Sequence, residues 1–174
     1  MRDDLEKALA DEFPFMRRSL SAKEQEEKDG GIHDLYSAWG LEMRNGWFQL
    51  IWDMCTEITA AYEAADEPID IVVDQAKEKF GTLRFYWRPQ GQKIMFHAFD
   101  NLGGGPSIRV RHGISEVHQK VEEIVSRYEK QSAHVCEICG APGCLRTDLR
   151  WVQTLCEEHY QDFLERMGQR RESL

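Results

Sequence analysis

The cysteines of this chain are concentrated near its C-terminal end, where four of the five lie within the last 40 residues. Cys136 and Cys139 are separated by two residues, and Cys156 and His159 show the same spacing after a gap of 16 residues. Two such pairs can each hold one side of a tetrahedral metal ion, and three thiolates with one imidazole suit zinc. The spacing therefore predicts a zinc site formed by Cys136, Cys139, Cys156 and His159.

We expect this zinc ion to have a structural role. A catalytic zinc ion usually has three protein ligands and one position open for water, whereas these four side chains fill the shell. One alternative stays open, in which Cys144 replaces His159 as the fourth ligand. Cys55 falls on the apolar stripe of a predicted helix, so we expect it to be a core residue.

The residues around the predicted ligands indicate a small metal-binding fold. Gly140 suits a tight turn after the first pair, residues 145–155 suit a hairpin, and a helix with an apolar face follows Cys156. A knuckle, a hairpin and a helix in this order are typical of a treble clef. We therefore predict a treble-clef-like zinc-binding unit at residues 132–174, preceded by an α+β domain at residues 1–131.

Three helices are predicted in the first domain from the spacing of apolar residues. A short one has Leu5, Leu9 and Phe13 at four-residue intervals and ends at Pro14. A longer one is expected to begin with Asn45 as its N-cap, and its apolar stripe comprises Trp47, Ile51, Met54, Cys55, Ile58 and Tyr62. The third is capped by Ser115, and its stripe comprises Val117, Val121, Ile124, Val125 and Tyr128.

Strands are predicted between the second and third helices. Residues 69–75 are rich in β-branched side chains and residues 82–88 alternate between apolar and polar, so we expect an antiparallel pair. Gly81, in the link between them, suits a β-bulge. Residues 92–96 and 108–112 are candidates for a third and a fourth strand. Helices packed with a small antiparallel sheet place the chain in the α+β class.

Composition and charge limit the classes of function. The 174 residues are 41% hydrophobic and 30% charged, and the formal net charge is −9, which disfavours general binding to nucleic acid. No apolar run approaches the roughly 20 residues of a membrane helix, and the first residues are charged, unlike a signal peptide. We therefore expect a cytoplasmic protein with no membrane partner.

Residues outside the cysteine cluster offer weaker candidates for a functional site. Arg84, Arg109, Arg111 and His112 form a basic region that is a possible contact for an anion or a partner. Trp39 is a candidate anchor at a protein interface, because such interfaces are enriched in tryptophan. The sequence contains no nucleophile elbow, phosphate-binding P-loop or His-Glu-x-x-His pattern.

Five parts of the sequence form a specific combination: residues 46–48 (GWF), Cys55, residues 77–86 (KEKFGTLRFY), residues 136–143 (CEICGAPG) and residues 151–159 (WVQTLCEEH). This combination resembles a family of small uncharacterised proteins found in bacterial genomes and their phages, and it covers most of residues 40–160. The resemblance implies a bacterial or viral cytoplasmic origin and brings no known activity. Residues 93–113 exceed the family pattern, so a function placed there would be particular to this chain.

Taken together, these features favour a non-enzymatic protein over an enzyme. We expect a zinc-stabilised protein that binds another protein, such as a phage-encoded inhibitor of host defence or an immunity-type protein. The alternative is a small zinc-knuckle nuclease or nucleotide-processing enzyme that uses the basic region at residues 84–112. The sequence leaves the partner and the oligomeric state open.

Overall fold

The computed structural model describes residues 1–18, 35–92 and 115–172, and within this part of the chain it contains both helices and small sheets. The helices are α1 (Asp3–Glu12), α2 (Leu35–Trp39), α3 (Phe48–Ala65), α4 (Glu116–Gln131) and α5 (Glu157–Glu172). The strands are β1 (Leu41–Glu42), β2 (Ile71–Lys79), β3 (Thr82–Pro89), β4 (Cys144–Arg146) and β5 (Gln153–Leu155). The predicted mixed α and β class is confirmed. The candidate strand at 108–112, and all but the first residue of that at 92–96, lie outside the described residues.

The larger sheet has three strands in the order β1-β2-β3. Strands β2 and β3 form the predicted antiparallel pair, in which Ala76 lies opposite Phe85. Strand β1 runs parallel to β2, with Leu41 opposite Ala76, so the prediction of a purely antiparallel sheet is wrong. A two-residue strand has no periodicity of its own, and its pairing with a strand much later in the chain leaves no local signal.

A two-residue turn joins β2 to β3. Phe80 and Gly81 both have positive φ, at 54° and 73°, as a type I′ hairpin turn requires. The prediction of a bulge at Gly81 is therefore wrong, because the register shift in this pair lies between Val73 and Gln75. The strand β2 also extends to Lys79, beyond the predicted end at Gln75.

The main hydrophobic core lies where α3 packs against α4 and α4 packs against β3. Every residue of the two predicted apolar stripes is buried, and Leu83, Phe85 and Trp87 join them from β3. Ser115 caps α4 as predicted, since its Oγ accepts a hydrogen bond from the amide of His118 at 3.3 Å. None of the helices in the described ranges is both long and apolar enough to cross a membrane.

The predicted cap of α3 is wrong. Asn45 instead begins a short 3₁₀ turn, Asn45–Trp47, and α3 starts only after it. The Asn45 side chain accepts a hydrogen bond from the backbone amide of Arg2 at 2.9 Å, so it ties the N-terminus to this turn. An N-cap preference identifies a residue that can accept such a bond, but it does not identify the donor.

The C-terminal part has a smaller hydrophobic cluster of its own. Cys136, Leu149, Leu155 and Cys156 are its buried members. Strands β4 and β5 pair antiparallel, with Cys144 opposite Leu155, and α5 follows β5 after one intervening residue. The division into residues 1–131 and 132–174 stays a prediction.

Candidate metal centre

The first pair of predicted ligands lies on a tight backbone turn. The amide of Gly140 donates to the carbonyl of Cys136 at 2.9 Å, and the amide of Cys136 donates to the carbonyl of Ala141 at 2.8 Å. A further bridge joins Val135 to Pro142. These bonds hold Cys136 and Cys139 on one small loop, which is the knuckle expected from the sequence.

The second pair lies at the start of α5. Cys156 immediately precedes the helix, and its carbonyl accepts a hydrogen bond from the amide of Tyr160 at 3.0 Å. Residues three apart in a helical turn lie on the same side, so Cys156 and His159 face in one direction. Strand β5 and helix α5 therefore fix the position of this pair, just as the knuckle fixes the first.

The two pairs come together. The ligand atoms of Cys136, Cys139, Cys156 and His159 all lie within 4.8 Å of one another. The Sγ atoms of Cys139 and Cys156 are 3.8 Å apart, and His159 Nδ1 lies 3.7 Å from Cys136 Sγ and 3.1 Å from Cys156 Sγ. This cluster of four donors can hold a metal ion.

Proximity of the donors affects the protonation of their thiols. Burial opposes ionisation of Cys136, but backbone amides of Cys156, Cys139 and Ile138 outweigh it and hold the pKa of this thiol below its usual value. For Cys139 the Ala141 amide favours the thiolate, yet burial and the neighbouring thiols together raise its pKa. The two thiols of the knuckle thus have pKa values shifted in opposite directions.

The other two cysteines stand apart from this cluster. Cys144 is exposed on β4 and does not belong to the group of donors, whereas His159 does. Cys55 is fully buried in the core on α3, as expected, and burial raises the pKa of its thiol. Neither residue offers a ligand atom to the four-donor cluster.

The knuckle packs directly against the start of α3. The amide of Gly46 donates to the carbonyl of Glu137 at 2.9 Å, and the indole Nε1 of Trp47 donates to the carbonyl of Val135 at 2.8 Å. The strand that precedes the second ligand pair is anchored as well, because Thr154 Oγ1 donates to the carbonyl of Gly81 at 2.6 Å. Hydrogen bonds therefore connect the knuckle to the start of α3, and connect β5 to the turn between β2 and β3.

A buried carboxylate lies inside the knuckle. Glu137 is 2% exposed, and its Oε1 accepts a hydrogen bond from Gln153 Nε2 at 2.7 Å and forms an ion pair with Arg44 Nε at 3.0 Å. Burial and the nearby charge of Glu78 raise the pKa of Glu137, although Arg44 and Gln153 oppose the shift. Glu137 thus connects the knuckle to β5 and to the segment before α3.

Two of the other predicted contact residues, Arg84 and Trp39, lie in the described part of the chain. Arg84 is half-buried, and its Nη1 donates to Thr82 Oγ1 at 2.6 Å and to the Leu83 carbonyl at 2.9 Å, so its guanidinium is engaged on its own strand. Trp39 is 67% exposed at the end of α2. Arg109, Arg111 and His112 lie outside the described residues.

Comparison with protein-family models, with curated proteins and with solved structures gave no match for this chain. The resemblance noted from the sequence therefore stays a prediction.

Two clusters of polar side chains could not be predicted from the sequence. Asp70 Oδ1 accepts a hydrogen bond from the Tyr62 hydroxyl at 2.6 Å and lies 2.8 Å from His118 Nε2. Glu42, Arg44, Glu78 and Glu137 line one cleft, and Trp151 lines it as well. Both clusters join residues far apart in the sequence, so no local spacing could reveal them, although the 64% exposure of Trp151 is unusual for so large an apolar side chain.

Proposed function

We propose that this chain is a non-enzymatic protein that binds another protein, and that a structural zinc ion held by Cys136, Cys139, Cys156 and His159 stabilises it. The observation that carries the proposal is that four side-chain donors, enough to fill a tetrahedral shell, lie within 4.8 Å of one another. Such a shell leaves no position for an activated water molecule. The proposed zinc ion therefore maintains the shape of the C-terminal part instead of acting on a substrate.

The distances between the donors support zinc as the metal. Zinc–sulfur bonds of about 2.3 Å in a tetrahedron place neighbouring sulfurs about 3.8 Å apart, and a sulfur and a nitrogen about 3.6 Å apart. The Cys139–Cys156 separation is 3.8 Å and the Cys136–His159 separation is 3.7 Å, whereas Cys156 Sγ and His159 Nδ1 are 3.1 Å apart and would have to separate by about 0.5 Å to bind zinc. Soft thiolates combined with an imidazole also select zinc over magnesium or calcium, which prefer oxygen donors.

The order of the surrounding elements supports a treble-clef-like unit. The knuckle carries the first pair, the β4–β5 hairpin follows, and the second pair lies at the start of α5. A small unit of this kind has too little apolar surface to be stable by itself, and metal coordination supplies the missing free energy. The zinc ion thereby holds α5 to the knuckle, which in turn contacts Gly46.

Exposed aromatic residues support a protein partner. Trp39 is 67% exposed and Trp151 is 64% exposed, and large aromatic side chains in solvent are typical of protein interfaces. The net charge of −9 favours a partner with a basic surface. That the partner belongs to a host defence system, or that the chain is an immunity-type protein, remains our expectation from the size and acidity of the chain and from the lack of a catalytic pattern in its sequence.

The proposal is tested by activity and capture experiments on the zinc-loaded chain. We expect no hydrolysis of DNA, RNA or nucleotides with or without Mg²⁺, and a stoichiometric protein complex that weakens in Trp39→Ala or Trp151→Ala. Thr56→Ala, on the exposed side of α3, is the matched control and should retain the complex. Turnover that follows the zinc content of the preparation would overturn the proposal, and a complex indifferent to both tryptophans would exclude Trp39 and Trp151 as its contacts.

A further inference from the structure

The three cysteines of the donor cluster differ in their access to solvent. Cys139 is exposed on the knuckle, whereas Cys136 is 0% exposed and Cys156 is 9% exposed. Gly140, the residue after Cys139, is exposed as well. A small reagent dissolved in water therefore reaches the sulfur of Cys139 before it reaches the other two.

A second sulfur lies next to the exposed one. Cys139 Sγ is 3.8 Å from Cys156 Sγ, and the two residues come from different elements, the knuckle and the start of α5. A disulfide bond is about 2.05 Å long, so the two sulfurs must approach by a further ~1.8 Å. Rotation of the exposed Cys139 side chain about its Cα–Cβ bond can supply this movement.

From this arrangement we infer that Cys139 is an oxidation site for peroxides, and that its reaction joins it to Cys156 and releases the metal ion. Hydrogen peroxide is the co-reactant, and an exposed thiolate is the form of cysteine that reduces it. The inference rests on the proposed function, since it describes the regulation of the same metal site. The donor cluster then has two states, one with zinc and one with a disulfide.

Two steps produce the disulfide. In the first, the thiolate of Cys139 attacks one oxygen of hydrogen peroxide: an S–O bond forms, the O–O bond breaks, hydroxide leaves, and Cys139 becomes a sulfenic acid. In the second, the thiolate of Cys156 attacks Cys139 Sγ: the S–S bond forms, the S–O bond breaks, and a second hydroxide leaves. The two sulfurs together lose two electrons, which reduce the two peroxide oxygens.

The disulfide removes two of the four donors. Cys136 and His159 remain, and two ligands hold zinc much less tightly than four. Helix α5 stays linked to the knuckle through the new bond and to β4 through Arg146, whose Nη2 donates to Glu157 Oε2 at 2.8 Å and whose Cζ lies 4.0 Å from the centre of the Tyr160 ring. We therefore expect the oxidised chain to lose its metal ion and remain folded.

The other thiols suit this reaction less well. Cys55 is 0% exposed in the core, and Cys144 is exposed on β4 but does not belong to the donor cluster. Cys136 belongs to the cluster, but its side chain is buried and its backbone is held by the knuckle's own hydrogen bonds. A bridge from Cys139 to Cys136 would have to form inside that tight turn.

Treatment of the zinc-loaded full chain with hydrogen peroxide tests the inference. A chromogenic chelator measures the released zinc, with the untreated chain as its blank, and mass spectrometry of the alkylated and digested chain identifies the disulfide. We expect one zinc ion to leave for each Cys139–Cys156 bridge, while circular dichroism shows that the helices are retained. Dithiothreitol with added zinc should restore the metal content.

Cysteine variants locate the site of oxidation. Cys144→Ser and Cys55→Ser keep all four donors, so peroxide should release zinc from each of them at the rate of the unchanged chain. Cys139→His removes the exposed thiol and supplies an imidazole as a replacement ligand. This variant should bind zinc and lose most of the release that peroxide causes.

Distinct outcomes separate this inference from the proposed function. Zinc that stays bound in peroxide, undiminished release from Cys139→His, or a bridge from Cys139 to Cys144 or Cys136 would overturn the oxidation site and leave the structural zinc ion in place. A purified, folded chain without zinc would overturn the proposed function itself. If Cys139→His fails to bind zinc, the disulfide found in the unchanged chain decides the question.

Discussion

Gly46 and Cys136 are in backbone contact, and this contact joins the start of α3 to the candidate metal centre. A Cβ atom at position 46 would lie 2.2 Å from the carbonyl oxygen of Cys136 and 2.7 Å from the amide of Gly140. These neighbours are main-chain atoms held by the knuckle's own hydrogen bonds, so they cannot rotate away. Only glycine at position 46 allows the knuckle to come this close to the start of α3.

The first prediction concerns this contact. Gly46→Ala should lower the free energy of unfolding by about 3 kcal/mol, because the added methyl group forces the knuckle away from the start of α3. Urea denaturation of the zinc-loaded chain measures the effect. Gly168→Ala is the matched control: its Cβ would meet no atom within 4 Å, and replacing a helical glycine should stabilise the chain by about 0.5–1 kcal/mol. Equal losses in the two variants would contradict the proposed close packing.

The second prediction separates metal ligands from other cysteines. Cys136→Ser or Cys156→Ser should reduce zinc affinity by more than roughly 100-fold, a larger loss than residues that merely orient ligands produce, and should unfold at least the C-terminal part. Cys144→Ser and Cys55→Ser should keep full metal content, since neither residue belongs to the donor cluster. Chelator competition and circular dichroism measure the two effects. Similar metal loss in all four variants would count against the assignment.

The third prediction concerns pH. Burial opposes the charge of Asp70, but hydrogen bonds from Tyr62 and His118 outweigh it and hold the pKa of Asp70 below its usual value. A carboxyl group with a lowered pKa in the folded state stabilises the fold above its unfolded pKa, about 3.9, and that stabilisation is lost as the pH falls through the folded value. The contribution of Asp70 should therefore be complete at neutral pH and disappear in acid.

Thermal unfolding of Asp70→Asn tests this prediction. Because the Asp70 side chain is 41% exposed, we expect a loss of only about 1 kcal/mol at pH 7, or roughly 3 °C in Tm, and a smaller difference below about pH 4. Glu63→Gln removes a negative charge from the exposed surface of α3 and serves as the control. A difference between Asp70→Asn and the wild type that persists unchanged in acid would show that the charge of Asp70 is not involved.

The elements that carry a periodic signal could be predicted from the sequence. The stripes of α3 and α4 repeat at helical spacing and both are buried, and the alternation of Leu83, Phe85 and Trp87 marks one face of β3. The two candidate ligand pairs could also be predicted, because two donors that chelate one metal ion must lie only a few residues apart in the sequence. In each case the physical requirement acts over a few neighbouring residues, so the local sequence records it.

Features that depend on distant contacts could not be predicted. Leu41 pairs in parallel with Ala76, a residue much later in the chain. The side chain of Asn45 accepts a hydrogen bond from the amide of Arg2 and not from an amide of the helix that follows it. Gly46 looks like an ordinary helix-start glycine until the knuckle is placed against it. The cleft around Glu137 gathers side chains from β1, β2, the knuckle and α5, and only the folded chain shows them together.

The most direct test of the account is X-ray absorption spectroscopy at the zinc edge, combined with elemental analysis of the purified, folded chain. We predict one zinc ion per chain, with three sulfur donors at about 2.3 Å and one nitrogen donor at about 2.0–2.1 Å. Folded protein without bound metal would contradict it. So would a coordination shell in which a water oxygen takes the place of Cys136, Cys139, Cys156 or His159.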